Sequence, residues 1–310
     1  IGMQMTNVGN DEIKWETTSK WNFGAQANML DNRLGVGFNY FIHKTKDLLA
    51  LKSFETPVGG INNYWTNDGA VKNTGVEVNI SAKPVATKDW HLEVGASIGH
   101  YKNEVTALAN GDYTTSAYGD KNILTAVGKS VGSFYGYQTA DYVFASTEDA
   151  AKAGKEHVNS EGKTTTNLYI VDEAGHKIDF VAGDTHFIDQ NGDGEINEQD
   201  KVIIGNPNPD FYGNIFATLN WKRFTLNVGF NYCVGNDIYN YQRSVLNSGS
   251  TLYNQQVAEI GHWRYEGQIT ELPRLYYGDP MGNNRFSDRW IEDGSYLRLK
   301  TLSLSYNVPV

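Results

Sequence analysis

Apolar and polar residues alternate along this chain in seven stretches of about ten positions. In Trp21-Asn22-Phe23-Gly24-Ala25-Gln26-Ala27-Asn28-Met29, the odd positions are apolar and the even ones polar or Gly. Successive side chains of a strand point to opposite faces, so the period of two predicts strands with one greasy face. Leu34, Val36, Phe38, Tyr40 and Ile42 repeat the pattern, as do Val76, Val78 and Ile80. Phe224, Leu226, Val228, Phe230 and Tyr232 repeat it again, and so do Leu302, Leu304 and Tyr306. The predicted strands cover residues 14–30, 33–46, 71–83, 89–103, 211–221, 224–234 and 295–308.

Their joints are unequal. Asp31-Asn32, residues 84–88 and Trp221-Lys222-Arg223 are of tight-hairpin length. The other joints take about 24 residues (47–70), about 107 (104–210) and about 60 (235–294). Loops this long are uncommon in compact domains and usually carry function. A greasy face, a polar face and long loops on one side predict an all-β fold, an antiparallel transmembrane β-barrel segment with long extracellular loops and short periplasmic turns. Trp15, Trp21, Trp90 and Trp221 lie near strand ends, as an interfacial girdle requires. The competing reading is a soluble antiparallel protein whose apolar faces pack on each other, but large loops on one side are foreign to it.

Seven strands with a polar inner face do not make a closed bacterial barrel, which has an even number. An open edge would also leave unpaired N–H and C=O groups in hydrocarbon at several kcal/mol each. The chain is therefore expected to be one arc of a longer polypeptide's wall. Its start at Ile1-Gly2, with no initiator Met and no signal peptide, fits processing or a segment of a longer chain.

Composition refines this picture. No stretch approaches the ~18 apolar residues of a transmembrane helix, and barrel strands give only a weak hydropathy signal. Cys233 is the single cysteine, which excludes an internal disulfide and a Cys-rich metal site. The formal net charge of −10 argues against a nucleic-acid partner. That charge is local: residues 141–210 hold fifteen Asp and Glu against five Lys, a net −10 by themselves.

The sharpest motif lies in this acidic stretch, Asp189-Gln190-Asn191-Gly192-Asp193-Gly194-Glu195-Ile196-Asn197-Glu198-Gln199-Asp200. Oxygen ligands at loop positions 1, 3 and 5, Gly at 6, an apolar residue at 8 and a carboxylate at 12 match a calcium loop. Asp189, Asn191 and Asp193 would give side-chain oxygens, Glu195 its carbonyl and Asp200 the closing carboxylate. Asp in place of Glu at position 12 and flanks that do not read as long helices depart from the pattern. The bland alternative is a polar Gly-rich loop. Bound Ca²⁺ would be structural, ordering the acidic excursion.

Other chemistry is thin. Gly128-Lys129-Ser130-Val131-Gly132 has the spacing of a nucleophile elbow without the strand-turn-helix setting or a partner His. The seven His form no i, i+4 pair, so zinc is not expected. Glu292-Asp293 is an acid pair of the kind glycosidases use, but adjacent charges are usually only solvated. No catalytic residue is assigned, and the chain is not read as an enzyme. Tyr113, Tyr118, Phe134, Tyr135, Tyr137, Tyr276 and Tyr277 are candidates for stacking on sugar rings or for packing the loops together. Ser146-Thr147-Glu148-Asp149 has capping-box spacing, and residues 252–263 place Val257 and Ile260 for one apolar side of a helical turn.

Several segments resemble one family. Gly132-Ser133-Phe134-Tyr135-Gly136-Tyr137, the 189–200 loop, Ile204-Gly205-Asn206-Pro207-Asn208-Pro209-Asp210-Phe211 and Asp288-Arg289-Trp290-Ile291-Glu292-Asp293-Gly294-Ser295-Tyr296-Leu297-Arg298-Leu299-Lys300 are similar to the SusC/RagA-type TonB-linked outer-membrane proteins of Bacteroidetes. Thr45-Lys46-Asp47-Leu48-Leu49 and Asn73-Thr74-Gly75-Val76-Glu77-Val78 fit the same family in the same order. The resemblance implies a 22-stranded barrel in the cell outer membrane, in contact with outer-membrane lipid. This chain would be strands 14 to 20, with the plug domain, the TonB box and the final strands outside it. It further implies import of an oligosaccharide or peptide substrate, a SusD-like surface lipoprotein as lid and energy from the TonB complex. The alternative is a non-transporting surface β protein, an adhesin or a soluble calcium-binding β module. Which residues bind substrate is not legible in the sequence.

Overall fold

The computed structural model describes residues 9–58, 61–108, 111–117 and 120–309. The start at Ile1-Gly2 and Tyr118 lie outside them. Seven long strands form one antiparallel sheet: Thr17–Met29, Leu34–Lys46, Ala70–Ala86, Trp90–Ala107, Phe211–Trp221, Phe224–Val234 and Tyr296–Tyr306. Each pairs with its neighbours in that order, and the first and last do not pair with each other. The first hairpin turns through Asp31 and Asn32 at φ +53 and +62, left-handed values that Asp and Asn tolerate better than most residues.

The first strand starts three residues later than the alternation predicts, the third runs further at both ends and the fourth further at its loop end, while the other bounds agree to within two residues. At the turn end, Pro84 belongs to the strand rather than to the turn. The register shifts between Ala82 and Val85, and a bulge accommodates a residue that has no N–H to give the ladder. The turn itself is closed at Thr87, whose Oγ1 accepts from the Trp90 N–H at 3.1 Å. At the loop end, Lys102 and Glu104 interrupt the apolar pattern, yet main-chain pairing continues to Ala70 opposite Ala107.

The register keeps the two faces separate across the whole sheet. One row reads Ala27, Val36, Ile80, Ala96, Ile215, Phe230 and Leu299. On the other face a row reads Gln26, Gly37, Asn79, Ser97, Asn214, Asn231 and Arg298. The apolar face stays open to its surroundings: Leu302 is 67% exposed and Leu304 70%. Near the short turns Trp90, Trp221, Phe224 and Tyr306 form a chain of ring contacts at 5.4, 5.8 and 4.7 Å. Ten residues up the fifth strand, Phe211 contacts the His100 ring at 5.5 Å. Ten steps of about 3.3 Å on a strand tilted about 40° span about 25 Å, the height of an outer-membrane apolar band.

The long joints are not structureless. Residues 47–70 contain a hairpin, Leu49–Val58 paired with Ile61–Asn67. The 104–210 and 235–294 excursions fold together into a cap above the wall. Tyr137 N–H donates to Phe286 O, Val143 N–H to Thr270 O and Arg274 N–H to Gly183 O. The cap holds the hydrophobic core, with Tyr137, Phe144, Leu168, Phe180, Phe187, Ile196 and Met281 buried on one another. Ser146 caps the short helix Thr147–Ala150, accepting from Asp149 N–H at 3.1 Å. The predicted turn near Val257 is a 3-10 segment, Val257–Gly261, but Val257 and Ile260 are 79% and 68% exposed and form no packed side. A six-residue helix, Tyr241–Leu246, precedes it without having been foreseen. Among the described residues no helix is long and apolar enough to cross a membrane.

Candidate functional site

The polar face of the wall is a mesh of amides, hydroxyls and carboxylates. Tyr212 OH donates to Glu77 Oε1 at 2.8 Å, and Asn39 Nδ2 reaches Glu77 Oε2 at 3.3 Å. Lower on the same face Thr218 Oγ1 donates to Asn227 Oδ1 at 2.9 Å, and Asn227 Nδ2 to Ser303 Oγ at 3.2 Å. Glycines make room for the few aromatics. A Cβ on Gly99 would lie 2.5 Å from the Tyr212 ring, and one on Gly95 2.4 Å from Phe216. A surface of this kind exchanges hydrogen bonds with water or with a polyhydroxyl or peptide chain, and it cannot sit in lipid.

Above it, the cap is pinned by one buried carboxylate. Asp184 is fully buried. It accepts from Arg274 Nε at 2.8 Å and Nη2 at 3.1 Å, from Asn283 Nδ2 at 2.9 Å and from Val181 N–H at 2.9 Å. Next to this hub, between the two excursions, lies a cavity of about 760 Å³ lined by Arg243, Arg289, Asp141, Glu271, His186 and Trp290. Burial, helped by neighbouring Arg243, brings the Arg289 guanidinium down to about 10. Burial pushes the Glu259 carboxyl up to about 7 against the opposing pull of Arg289. His186 is held below its usual value by burial.

The 189–200 loop is held by hydrogen bonds of its own side chains. Gly192 and Gly194 take φ +70 and +91. Asp189 accepts from the N–H groups of Gly192 (2.7 Å), Asp193 (3.2 Å) and Gly194 (2.7 Å). Asp193 Oδ1 accepts from Glu195 N–H at 2.8 Å, and Asn191 Nδ2 donates to Asp193 Oδ2 at 2.9 Å. Asp200 closes the loop from below, fully buried, accepting from Gln190 N–H at 3.0 Å and Asn197 N–H at 2.8 Å. Ile196 anchors the loop in the cap core. Among the described residues no three His, Cys, Asp or Glu side chains converge as a metal cage. The donor set foreseen here also relies on an Asn side chain and a main-chain carbonyl. Asp189 spends three acceptor sites, and Asp193 and Asp200 two each, on hydrogen bonds within the loop, and the lone pairs left over are of the hard oxygen kind that Ca²⁺ prefers.

No protein-family model matches the chain. Known relatives do. It is 31% identical over 317 residues to TonB-dependent receptor P3 of Formosa agariphila, covering 99% of this chain and 29% of that protein. It is 29% identical to TonB-dependent receptor SusC of Bacteroides thetaiotaomicron, covering 96% of this chain and 26% of that one. Over its whole length the chain is similar to the SusC-type TonB-dependent receptors. A solved RagAB peptide transporter shares the fold, with a TM-score of 0.73 at 23% identity over 99% of this chain and 31% of that one. The chain's long strands are thus antiparallel wall of an outer-membrane β-barrel. The chain spans about 29% of the length of the curated relatives it matches.

The remaining sequence candidates have structural duties. Ser130 Oγ donates to Asn103 O at 3.0 Å in a turn. Glu292 pairs with Arg243 at 2.6 Å, and the Asp293 carboxylate, held below its usual value by Ser295, accepts from that residue's N–H at 2.8 Å. Phe134 and Tyr137 are buried among cap residues, whereas Tyr276 and Tyr277 remain exposed. Burial pushes the Tyr137 hydroxyl up to about 12. Asp184 and the cavity above it gave no sequence signal, because their partners lie about 90 to 100 residues away.

Proposed function

We propose that the protein imports an oligomeric nutrient, a glycan or a peptide, across the outer membrane. Energy comes from the TonB complex, and a SusD-like surface lipoprotein closes the extracellular side as a lid. The observation that carries this reading is the continuous polar inner face beneath a cap folded from two excursions. Substrate passes such a face by exchanging hydrogen bonds, and nothing is hydrolysed. The relatives support the import chemistry: two are named TonB-dependent receptors, and a protein of the same fold is titled a peptide transporter. A soluble module is disfavoured by the outward leucines of the last strand, which would face water along its length. Ca²⁺, held by Asp189, Asn191, Asp193, Glu195 and Asp200, would order the acidic excursion without touching the substrate.

Deletion of the gene in its host, with uptake of labelled glycan and peptide oligomers followed separately, tests the proposal. Loss of uptake of one class, restored by the intact gene, is the expected result and identifies the substrate. Unchanged uptake of both with lost surface adhesion would make the protein an adhesin. Co-purification of a surface lipoprotein with the intact receptor tests the lid.

A further inference from the structure

We propose that the outer face of the wall carries a binding site for a phosphorylated lipid of the outer leaflet, built on Lys44, Lys72 and Lys102. These lysines share the lipid-facing side with the apolar rows. Lys44 sits directly opposite Lys72, Lys72 opposite Glu104, and Thr74 opposite Lys102. Glu104 is the acid of the group, and Lys102 Nζ engages it at 2.9 Å. Lys72 thus has Glu104 on one side and Lys44 on the other, and like charges directly opposite on a sheet destabilise it. Residues 141–210 account for the whole net charge of −10, so the wall is near neutral and a basic cluster here is not part of a general positive surface.

Height and shape identify the occupant. Lys102 lies twelve residues above Trp90 on one strand. That places it about 30 Å above the lower aromatic rim, just over the top of a band about 25 Å tall. The end carrying the long loops is the extracellular one, so the cluster stands at the head-group level of the outer leaflet. A hollow of about 400 Å³ beside Lys72 and Lys102 is lined by these two with Tyr40, Thr74, Val76, His100 and Glu104, and Lys44 stands at its edge across from Lys72. Thr74 Oγ1 is buried there and has no hydrogen-bond partner. A phosphate ester would neutralise facing ammonium groups and accept from this hydroxyl. Tyr40 and Val76 continue downward into the exposed apolar residues Phe38, Ile80 and Ile98, a track for acyl chains. Charge above and hydrocarbon track below fit a lipid and leave a free phosphate with half a site.

The test uses the intact receptor in mixed micelles. Binding of bis-phosphorylated lipid A and of the same lipid dephosphorylated is compared by native mass spectrometry, with inorganic phosphate as competitor. Lysines near an anionic surface contribute enough that the wild type should prefer the phosphorylated lipid by about ten-fold or more. Triple substitution Lys44→Gln, Lys72→Gln, Lys102→Gln should erase the preference, and the triple Arg variant should keep it. Equal affinity for the two lipids, a preference surviving in the Gln variant, or displacement by inorganic phosphate overturns the proposal. If the Gln variant does not fold, the wild-type comparison and the single Lys72→Gln variant still decide it.

Discussion

At the residue scale, the cap depends on a few buried polar side chains. Asp184 ties Arg274 and Asn283 of one excursion to the chain of the other. Asp184→Ala leaves the Arg274 charge without its partner, and since that side chain is 28% exposed the loss is that of hydrogen bonds to a charged group, about 1.5–3 kcal/mol. Because the wall does not share this bond, the loss should appear as faster proteolysis of residues 141–210 with the barrel's own unfolding unchanged. Glu259 gives a pH signature. Its carboxyl is raised from 4.5 to about 7 by burial, so the folded state holds a proton that the unfolded chain has released. Stability of the cap is therefore full below pH 4.5, falls as pH rises, and reaches its floor above about 7. Glu259→Gln should flatten that slope and stabilise the cap at pH 8 by about 1 kcal/mol, a figure discounted for partial solvent access. Cap melting at pH 5 and pH 8 in both proteins is the measurement.

At the element scale, the wall strands were legible because each faces lipid on one side and water on the other. Two solvents impose a period of two that a local reading detects, as in Phe224–Val234. The cap has no such imprint. Its strands are short, such as Ser133–Gly136 paired with Val202–Gly205 from the far side of the excursion, and the pairing depends on distant chain. The outward Lys102 and Glu104 hid the upper end of a strand for a different reason: at head-group level a lipid-facing residue is charged. The 189–200 loop was readable because its turn chemistry is local, and its Asp, Asn and Gly residues act on N–H groups two to five positions away. Its proposed cation has a direct test. Calcium chelation, or Asp193→Ala, should lower hydrogen-exchange protection across residues 185–201 while the wall strands keep theirs. Equal protection with and without chelator would mean that the loop's own hydrogen bonds suffice.

At the scale of the whole molecule, the two faces make opposite demands on the same strand. Leu302 stands in the outward apolar band opposite Val228, and Ser303 faces the interior opposite Asn227. An arginine at a lipid-facing position near mid-band costs about 2–4 kcal/mol, whereas interior positions are open to charge. Arg298, five residues along the same strand, already occupies the interior face. Leu302→Arg should therefore reduce the folded fraction of the intact receptor in lipid vesicles, read as heat-modifiable migration across a denaturant series. Ser303→Arg should fold like the wild type, losing only the 3.2 Å bond from Asn227, and instead alter uptake through the lumen. The two substitutions are one position apart and chemically alike, so propensity and local charge cancel in the comparison. Equal destabilisation by both would mean that the leucine face is buried against protein. A reversed order would put the polar rows against lipid and the apolar rows inside.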